Sequence, residues 1–336
     1  MKALIVSTAH WRGDPRLNRH LDYLRESGIE ADFAVFDSDN KAVRILNILR
    51  VIGELRRARW HTVILPDPEL FIVGSIAARF LGIRSVIDVH EDYSKAAASR
   101  EWIPRPLRQA VGAIASLNDR LGRRIASRVV VAAPELASSG SILVSNVPNP
   151  DRLRPEPANF GVPTAIYIGD VTAARGALEI AELAGLLPDV SFLVIGPIND
   201  DLRGRMIAVA GPDASLEMAG RLPHDEAWAR ASGAIAGLSL LRPLPAYRSA
   251  VATKLWEYGA AGIPPVVTDL PGQRTFVSGI DISLAQSDIR DIASVITRLA
   301  TDHAWQLETA AKARIAAIAG WERDRPDIAI LSAVQP

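Results

Sequence analysis

The segment Thr253-Lys254-Leu255-Trp256-Glu257-Tyr258-Gly259-Ala260-Ala261-Gly262 lies between two short apolar runs, Ala234–Leu240 and Pro265–Thr268. Apolar runs of this length predict buried strands, whereas the segment itself has the length and composition of a helix. Two parallel strands joined through a helix form the βαβ unit of α/β proteins. The segment therefore predicts an α/β fold with a parallel sheet.

The same alternation of short apolar runs and helical segments extends along the whole chain. Before residue 150, strands are predicted at Ala3–Ser7, Ala31–Phe36, Thr62–Leu65, Ser85–Val89 and Val129–Ala132. A proline-rich stretch, Ser145–Gly161, then interrupts the pattern, which restarts at Thr164–Ile168. Because 336 residues exceed what one core usually supports, we predict two Rossmann-like domains, residues 1–150 and 151–318. A helix in residues 319–336 is expected to return to the first domain.

Composition excludes several classes of protein. The chain has no cysteine, so it has no disulfide framework, no cysteine-based zinc site and no cysteine nucleophile. It also lacks a Walker loop and a Gly-x-Gly-x-x-Gly motif, which weakens the case for a kinase or an oxidoreductase. No apolar run reaches the ~18 residues of a membrane span, and the first apolar run is too short for a signal peptide. We therefore expect a cytoplasmic protein.

Charge is distributed unevenly along the chain. Residues 1–150 carry 21 Lys and Arg against 16 Asp and Glu, whereas the remainder carries 17 against 22. Much of the excess lies in Pro104–Ser127, which is predicted to form a long amphipathic helix. Its apolar positions are Leu107, Val111, Ile114, Leu117, Leu121 and Ile125, and its arginines are Arg105, Arg108, Arg120, Arg123 and Arg124, with Arg128 just beyond. Either the arginines are solvated while the apolar face packs on the sheet, or the basic face meets anionic headgroups.

Lys254 and Glu257 are the charged residues of the opening segment. They stand three residues apart and therefore share one face of the predicted helix near its N-terminus. A helix N-terminus favours anions through its free N–H groups and its dipole. A diphosphate beside Lys254 and a ribose diol beside Glu257 would satisfy both charges. The alternative is an exposed intrahelical ion pair.

Several elements around this helix resemble the C-terminal domain of the GT4-type retaining glycosyltransferases, which have the GT-B fold. In order, they are Gly220–His224, Leu241–Tyr247, Thr253–Tyr258, Ala260–Pro264 and Asp269–Pro271. Ser249 stands where the family often has the first of two glutamates, so the chain is similar to a branch with a Pro-Thr-Lys-Leu-Phe-Glu-Tyr-like motif. The resemblance implies that a sugar moves from a nucleotide sugar to an acceptor hydroxyl, with retention and with no metal or other cofactor.

The resemblance also implies roles for individual residues of the C-terminal half. Glu257 would bind the nucleotide ribose. Arg175, in the loop after Thr164–Ile168, matches the second of two basic positions that face the donor diphosphate, and Asp170 occupies the first. We therefore assign Lys254 as the substitute cation. The remaining donor-binding residues are predicted to be Gly169, Tyr247, Thr253 and Leu255. The expected nucleotide is UDP, with GDP as the alternative.

In the N-terminal half, Asp88-Val89-His90-Glu91-Asp92 follows a predicted strand. It is similar to the family's histidine-containing segment near the donor sugar, which implies a catalytic role for His90, although a lone histidine is often structural. Glu91 and Asp92 are predicted to face the acceptor, together with Asp14 and Arg16 of the first loop. Asp14 could equally be only a helix N-cap, and Arg175 only a solvated residue.

Other interpretations remain at this stage. Asp37-Ser38-Asp39 fits the Asp-x-Asp pattern of metal-dependent sugar transferases, but it ends a predicted strand, so we assign no metal there. The competing functions are a UDP-sugar epimerase of the same fold and a non-enzymatic, two-lobed sugar-binding protein. A transferase is expected to act on a glycan, glycolipid or small-molecule acceptor in polysaccharide or glycoconjugate biosynthesis. Peripheral contact with the inner face of a membrane is a further possibility, and nucleic acid is not an expected partner.

Overall fold

The computed structural model describes residues 1–10, 12–36, 41–93, 103–245, 247–248 and 251–336. The Asp37–Asp39 motif and Ser249 lie outside the described residues. The chain forms two compact units, one of Met1–Asn146 with Asp324–Pro336 and one of Val147–Arg323. The sequence placed the corresponding boundaries after residues 150 and 318.

The N-terminal unit is built on a parallel six-stranded sheet in the order β2-β1-β3-β4-β5-β6. Its strands are β1 (Lys2–Ser7), β2 (Glu30–Val35), β3 (Thr62–Leu65), β4 (Arg84–Val89), β5 (Arg128–Val131) and β6 (Ser141–Leu143). Its helices are α1 (Pro15–Glu26), α2 (Lys41–Arg57), α3 (Pro68–Phe71), α4 (Val73–Phe80) and α5 (Arg108–Ile125), together with the last helix, α13 (Pro326–Val334). β3 is buried along its whole length, as expected for a parallel strand covered on both faces.

Strand order determines which face each helix covers. The chain moves from β1 to β2 in one direction and from β2 through β3, β4 and β5 in the other, so right-handed crossovers put α1 on one face and α2, α4 and α5 on the opposite face. The last helix, α13, packs against α1 and against β4, β5 and β6. The Thr62 hydroxyl donates to the Val334 carbonyl at 3.1 Å. The direction reverses between β1 and β3, which is where ligands bind in open α/β sheets.

The second unit contains another parallel sheet, in the order β12-β11-β10-β7-β8-β9. Its strands are β7 (Thr164–Ile168), β8 (Ser191–Ile195), β9 (Leu216–Gly220), β10 (Ala236–Ser239), β11 (Pro265–Thr268) and β12 (Ala285–Gln286). Its helices are α6 (Ala177–Leu186), α7 (Asp200–Ala210), α8 (His224–Ala231), α9 (Thr253–Ala260), α10 (Pro271–Val277), α11 (Ile289–Thr301) and α12 (His303–Asp324). This order is that of the Rossmann fold, with the reversal between β7 and β10.

The long basic helix α5 differs from its prediction. Ile114 is 68% exposed, and Leu107 and Leu117 are also exposed, so the prediction of one apolar face packed on the sheet is wrong for these residues. Gly112 and Gly122 are buried instead. A Cβ added to Gly122 would lie 2.7 Å from the Phe71 Cβ, so α3 approaches α5 too closely for a side chain there. Gly112 and Gly122 of α5 therefore face inward, and part of its apolar stripe faces outward.

Candidate functional site

In the second unit, the carboxyl ends of β7 and β10 meet at the reversal point of the sheet. Gly169, directly after β7, has φ of 136°, a conformation that side chains rarely adopt. Gly176 has φ of 85°, and a Cβ there would overlap the Leu240 carbonyl oxygen. The Arg242 amide donates to the Ala174 carbonyl at 3.0 Å. The loop after β7 is therefore held against the end of β10.

Lys254 is the second residue of α9. Its side chain lies in the space between the carboxyl ends of β7 and β10, which we call the corner. Its side chain is buried, at 9% relative exposure of the residue, and its Nζ lies 3.5 Å from the centre of the Tyr167 ring. Nζ has no hydrogen-bond partner among the residues that the structure describes. A Cβ on Gly169 would lie 3.3 Å from Nζ, so the missing side chain of Gly169 leaves the ammonium uncovered on that side.

Tyr258 fixes α9 against the sheet. Its hydroxyl accepts from the Ile168 amide at 3.1 Å and donates to the Leu238 carbonyl at 3.2 Å, which ties the helix to both β7 and β10. Leu255, a predicted donor-binding residue, is fully buried in the core of this unit. Its side chain therefore anchors the helix that carries Lys254.

The groups around Lys254 do not neutralise its positive charge fully. Burial and the neighbouring Arg175 hold the pKa of the Lys254 ammonium well below its usual range, while Glu257 and Asp170 act in the opposite direction. A buried charge without a hydrogen-bonded counterion is costly, and the group either loses its proton or binds an anion. The buried ammonium of Lys254 and the neighbouring Arg175 therefore favour the binding of an anion in the corner.

Arg175 stands at the rim of the same corner. Its Nη1 lies 3.4 Å from the Asp170 carboxylate, and its guanidinium also hydrogen-bonds the hydroxyls of Tyr167 and Tyr247. Burial raises the pKa of Tyr167 to about 12, with Arg175 opposing the shift, so the phenol stays neutral near pH 7. Arg175 is therefore charged, partly exposed and held by groups that an incoming anion can replace.

The predicted donor residues divide into two groups in the structure. Gly169, Arg175, Tyr247 and Lys254 come together at the ends of β7 and β10 through the contacts given above. Glu257 and Thr253 lie on the first turns of α9, half-buried, with Glu257 one turn beyond Lys254. The N-cap residue, Ala252, makes no side-chain cap, so no cap side chain occupies the first amides of the helix.

In the N-terminal unit, Asp88 at the end of β4 is the centre of a buried network. The Arg16 guanidinium donates to it through Nε at 3.0 Å and Nη2 at 2.6 Å. Nε2 of His20 lies 3.1 Å and Nε2 of His90 lies 2.9 Å from the same Asp88 oxygen. Burial alone would raise the pKa of Asp88, but Arg16, His90 and His20 hold it well below its usual range. The Asp88 carboxylate is therefore ionised and fully engaged.

Arg16 was predicted to face the acceptor, and the structure places its guanidinium inside the unit. Besides Asp88, it donates from Nη1 to the Val144 carbonyl at 2.7 Å and to the Asn146 side chain at 2.8 Å. The residue is 6% exposed. We therefore assign it a positioning role, in which it orients Asp88 and through it His90.

Asp14 joins a second group at the start of α1. Its side chain accepts from the Arg16 and Leu17 amides at 3.0 Å, which makes it the N-cap, and it also contacts His10 Nδ1 at 2.9 Å. Burial opposes the shift, but the hydrogen bond from His10 lowers the pKa of Asp14 to about 2. Asp14 is therefore the N-cap of α1 and also a charged neighbour of a histidine.

His10 links this group to His90. Its Nε2 lies 3.3 Å from the buried Asp67 carboxylate, and its ring lies 5.1 Å from the His90 ring, edge to face. Burial disfavours protonation, but Asp14 and Asp67 raise the pKa of His10 above its usual value. Asp67, after β3, also accepts from the Ser7 hydroxyl at 2.9 Å and the Thr8 amide at 2.5 Å. Two histidines thus lie together at the reversal point of the first sheet.

Sequence reasoning missed His10, His20 and Asp67. A signal for Asp67 existed, because a carboxylate two residues after a strand at the reversal point lies at the ligand-binding edge. No local signal marked His20, which is buried in α1 and reaches a residue 68 positions away. Glu91 and Asp92 follow His90 as predicted, exposed and half-buried respectively.

The described residues form no group of three or more His, Asp or Glu side chains that could hold a metal ion. Within the same part of the chain, no helix is long and apolar enough to cross a membrane.

Comparison of the sequence with known protein families gives a match within the C-terminal unit. The sequence model of a family described as glycosyl transferase-like matches residues 179–325. This range contains Tyr247, Lys254 and Glu257 and begins after Gly169 and Arg175. No curated protein matches the sequence of the chain.

Solved structures resemble both units. Sucrose-phosphate synthase from Thermosynechococcus elongatus has a TM-score of 0.73 at 14% identity, covering 98% of this chain and 96% of that chain. Anabaena HepE in complex with UDP-glucose has a TM-score of 0.72 at 14% identity, covering 99% and 98%. Staphylococcus aureus TarM, solved as a variant with UDP and alpha-GlcNAc-glycerol, has a TM-score of 0.61 at 13% identity, covering 86% and 59%. Similarity at this identity is evidence for the fold, and with the two parallel six-stranded sheets it confirms the predicted class: the chain has the GT-B fold of two Rossmann-like domains.

Proposed function

We propose that the chain is a glycosyltransferase that takes its sugar from a nucleotide sugar, with UDP as the preferred nucleotide. The observation that carries this proposal is the buried Lys254 ammonium, which lacks a partner among the described residues and lies beside Arg175 at the reversal point of the second sheet. The match of residues 179–325 to a glycosyl transferase-like family supports the same conclusion. The UDP and UDP-glucose complexes of proteins with this fold support the choice of nucleotide.

In this proposal the donor diphosphate lies over Gly169, where the absent side chain allows close approach to Lys254. The phosphate returns Lys254 to its charged form, and Arg175 exchanges its contacts with Asp170 and Tyr247 for the anion. Charge-assisted hydrogen bonds of this kind contribute about 1.5–3 kcal/mol each. Because negative charge grows on the departing nucleotide, these contacts strengthen in the transition state and accelerate transfer. Glu257, one turn along α9, binds the ribose hydroxyls.

We further propose that transfer proceeds with retention and without a metal ion. The acceptor hydroxyl attacks from the face of the leaving group, the bond from the sugar to the phosphate oxygen breaks, and that oxygen takes the acceptor's proton. No protein nucleophile is needed. His90, oriented by Asp88, hydrogen-bonds the transferred sugar or the acceptor, in a polysaccharide, glycolipid or glycoconjugate pathway.

A panel of UDP-, GDP-, ADP- and dTDP-sugars, measured by protection against thermal unfolding and by release of free nucleotide, tests the proposal. UDP-sugars should protect the protein, and Lys254→Met and Glu257→Ala should both lose that protection while remaining folded. Lys312 and Glu308 form an exposed ion pair at 2.6 Å on α12, so Lys312→Met and Glu308→Ala are matched controls that should retain it. Protection of Lys254→Met equal to that of the unaltered protein would refute the assignment. Interconversion of UDP-sugars without an acceptor would instead identify an epimerase.

A further inference from the structure

The amino ends of β3 and β4 border a cavity of about 330 Å³ in the N-terminal unit, which we call the amino-end cavity. Its walls come from the residues at the start of these strands, from the end of α4 and from the segment that leads from α5 into β5. Arg84 begins β4, and Asp88 lies four residues further, about 13 Å along the strand. The cavity is therefore at the opposite end of the sheet from the Asp88 network.

The polar lining of the amino-end cavity consists of groups that can donate hydrogen bonds. Among the residues that the structure describes there, these are His61, Arg79, Arg84, Ser85 and Ser127, and none is a carboxylate. The chain as a whole has as many Asp and Glu as Lys and Arg, 38 of each. The cavity thus concentrates positive charge that acidic side chains do not offset within its described lining.

Arg84 has an unmet need for a hydrogen-bond acceptor. Its Nη1 is buried and has no hydrogen-bond partner among the described residues. A guanidinium is always charged and presents its N–H donors in a planar fork, a geometry that suits the oxygens of a phosphate. Because Arg84 lines the cavity, an oxyanion bound there can supply the acceptor that the protein does not.

Backbone contacts leave the neighbouring side chains able to donate. The Lys2 amide donates to Nδ1 of His61 at 3.0 Å, so the proton of the neutral ring lies on Nε2. The Ser127 hydroxyl oxygen accepts from the Ser85 amide at 3.2 Å, and the Ser85 hydroxyl oxygen accepts from the Ser127 amide at 3.3 Å. Each hydroxyl can therefore donate its own hydrogen to a ligand.

We propose that the amino-end cavity binds a small phosphate monoester. A dianionic phosphate matches the two arginines better than a singly charged carboxylate does. The ring of Trp60 and the side chain of Ile83 supply an apolar part of the wall for the organic group. A volume of about 330 Å³ is near the lower limit of small-molecule sites, which suits a ligand no larger than a sugar phosphate.

The alternative is that the two arginines only stabilise helix ends. α4 and α5 end beside the cavity, at Phe80 and Ile125, and cations near a helix C-terminus are favourable. That role does not account for the buried Nη1 of Arg84, which donates to no described carbonyl. The inference is also independent of the proposed glycosyl transfer, because no described lining residue belongs to the corner around Lys254 or to the Asp88 network.

Calorimetric titration of the full chain with glucose 6-phosphate, inorganic phosphate and glucose tests the proposal. We expect glucose 6-phosphate to bind, inorganic phosphate to bind more weakly and glucose not to bind. Arg84→Met should weaken binding of glucose 6-phosphate about ten- to hundredfold, because it removes charge-assisted hydrogen bonds. Arg79→Met, at an exposed position, should also weaken it and provides the test if Arg84→Met does not fold. The matched control is Arg128→Met at the start of β5, outside the described lining, which should bind like the unaltered protein.

Fluorine NMR of protein labelled with 5-fluorotryptophan shows where the ligand binds. The resonance of Trp60 is assigned from Trp60→Phe, and glucose 6-phosphate should shift it in the unaltered protein and in Lys254→Met alike. No binding of glucose 6-phosphate would overturn the proposal, as would unchanged affinity in Arg84→Met and Arg79→Met or an equal loss in Arg128→Met. Binding that leaves Trp60 unchanged and disappears in Lys254→Met would also overturn it, in favour of the corner in the second unit.

Discussion

Replacing Lys254 by methionine is expected to stabilise the protein while abolishing its binding of nucleotide. Methionine keeps most of the side-chain length and removes the ammonium that lies buried against Tyr167. Leaving a buried donor without a partner costs about 1–3 kcal/mol, and the ring face recovers only part of this. We therefore expect Lys254→Met to raise the free energy of unfolding by about 1–3 kcal/mol. Most substitutions of buried residues have the opposite effect.

The pH dependence gives a second measure of the same cause. Burial lowers the pKa of Lys254 in the folded chain, so between that pKa and about 10.4 the unfolded chain binds more protons than the folded chain. Stability then rises with pH, because unfolding takes up a proton. The advantage of Lys254→Met over the unaltered protein should consequently shrink as the pH rises from the folded-state pKa of Lys254 toward about 10.4.

Urea unfolding followed by circular dichroism at several pH values measures both effects. A gain of 1 kcal/mol corresponds to roughly 2–4 °C in Tm for a domain of this size, so thermal scans give an independent check. Lys312→Met, on an exposed helix position, should change stability by less than about 0.5 kcal/mol. A less stable Lys254→Met, or an advantage that does not vary with pH, would show that the ammonium is satisfied in the folded protein.

Two further predictions concern the Asp88 network. Burial, with Arg16 assisting, lowers the pKa of His20 to about 4, so acidification from about 6.5 to about 4 should cost about 3 kcal/mol, and His20→Gln should flatten that part of the profile of stability against pH. An unchanged slope in the variant would refute this origin. Asp88→Asn leaves the buried Arg16 without a counterion and should cost about 3–5 kcal/mol in urea unfolding, against less than about 1 kcal/mol for Glu217→Gln in its exposed pair. A cost for Asp88→Asn as small as that of the control would show that the network is not a buried charge pair.

The parts of the fold that depend on local pattern were predictable from the sequence. Short runs such as Thr62–Leu65 do not alternate between apolar and polar residues as a half-buried strand would, and in the structure this run is a buried parallel strand. The orientation of α5 was not predictable, because apolar spacing favours one face while a single close contact, Phe71 on Gly122, selects another. Spacing records which residues share a face, but close approach between elements is a property of the packed structure. The C-terminal end of α12 was likewise not predictable from the sequence. The helix continues to Asp324, and only Arg325, with φ of 36°, separates it from the helix that begins at Pro326.

The candidate site shows the same division. The helical repeat predicted that Lys254 and Glu257 lie on the same face of α9. The burial of Lys254, by contrast, depends on Tyr167, which lies 87 positions earlier in the chain. Similarly, the carboxylate that organises His90 recruits Arg16 and His20 from α1, and no sequence window contains all of them. Long-range pairings of this kind are fixed by the order of strands in the sheet, so they become visible only when that order is known.

The two reversal points differ in a way that assigns different work to each unit. In the N-terminal unit the buried carboxylate Asp88 contacts an arginine and two histidines, so its charge is balanced within the protein. In the second unit Lys254 is buried beside Arg175, and the anionic groups nearby do not restore its pKa. A site whose charges are already neutralised within the protein gains little free energy from binding an anion. A buried amine such as that of Lys254 gains more, because the anion stabilises its protonated form and accepts its hydrogen bonds. Under the proposed function, the diphosphate of a nucleotide sugar should therefore bind in the second unit, and the histidines of the first unit should contact neutral sugar hydroxyls.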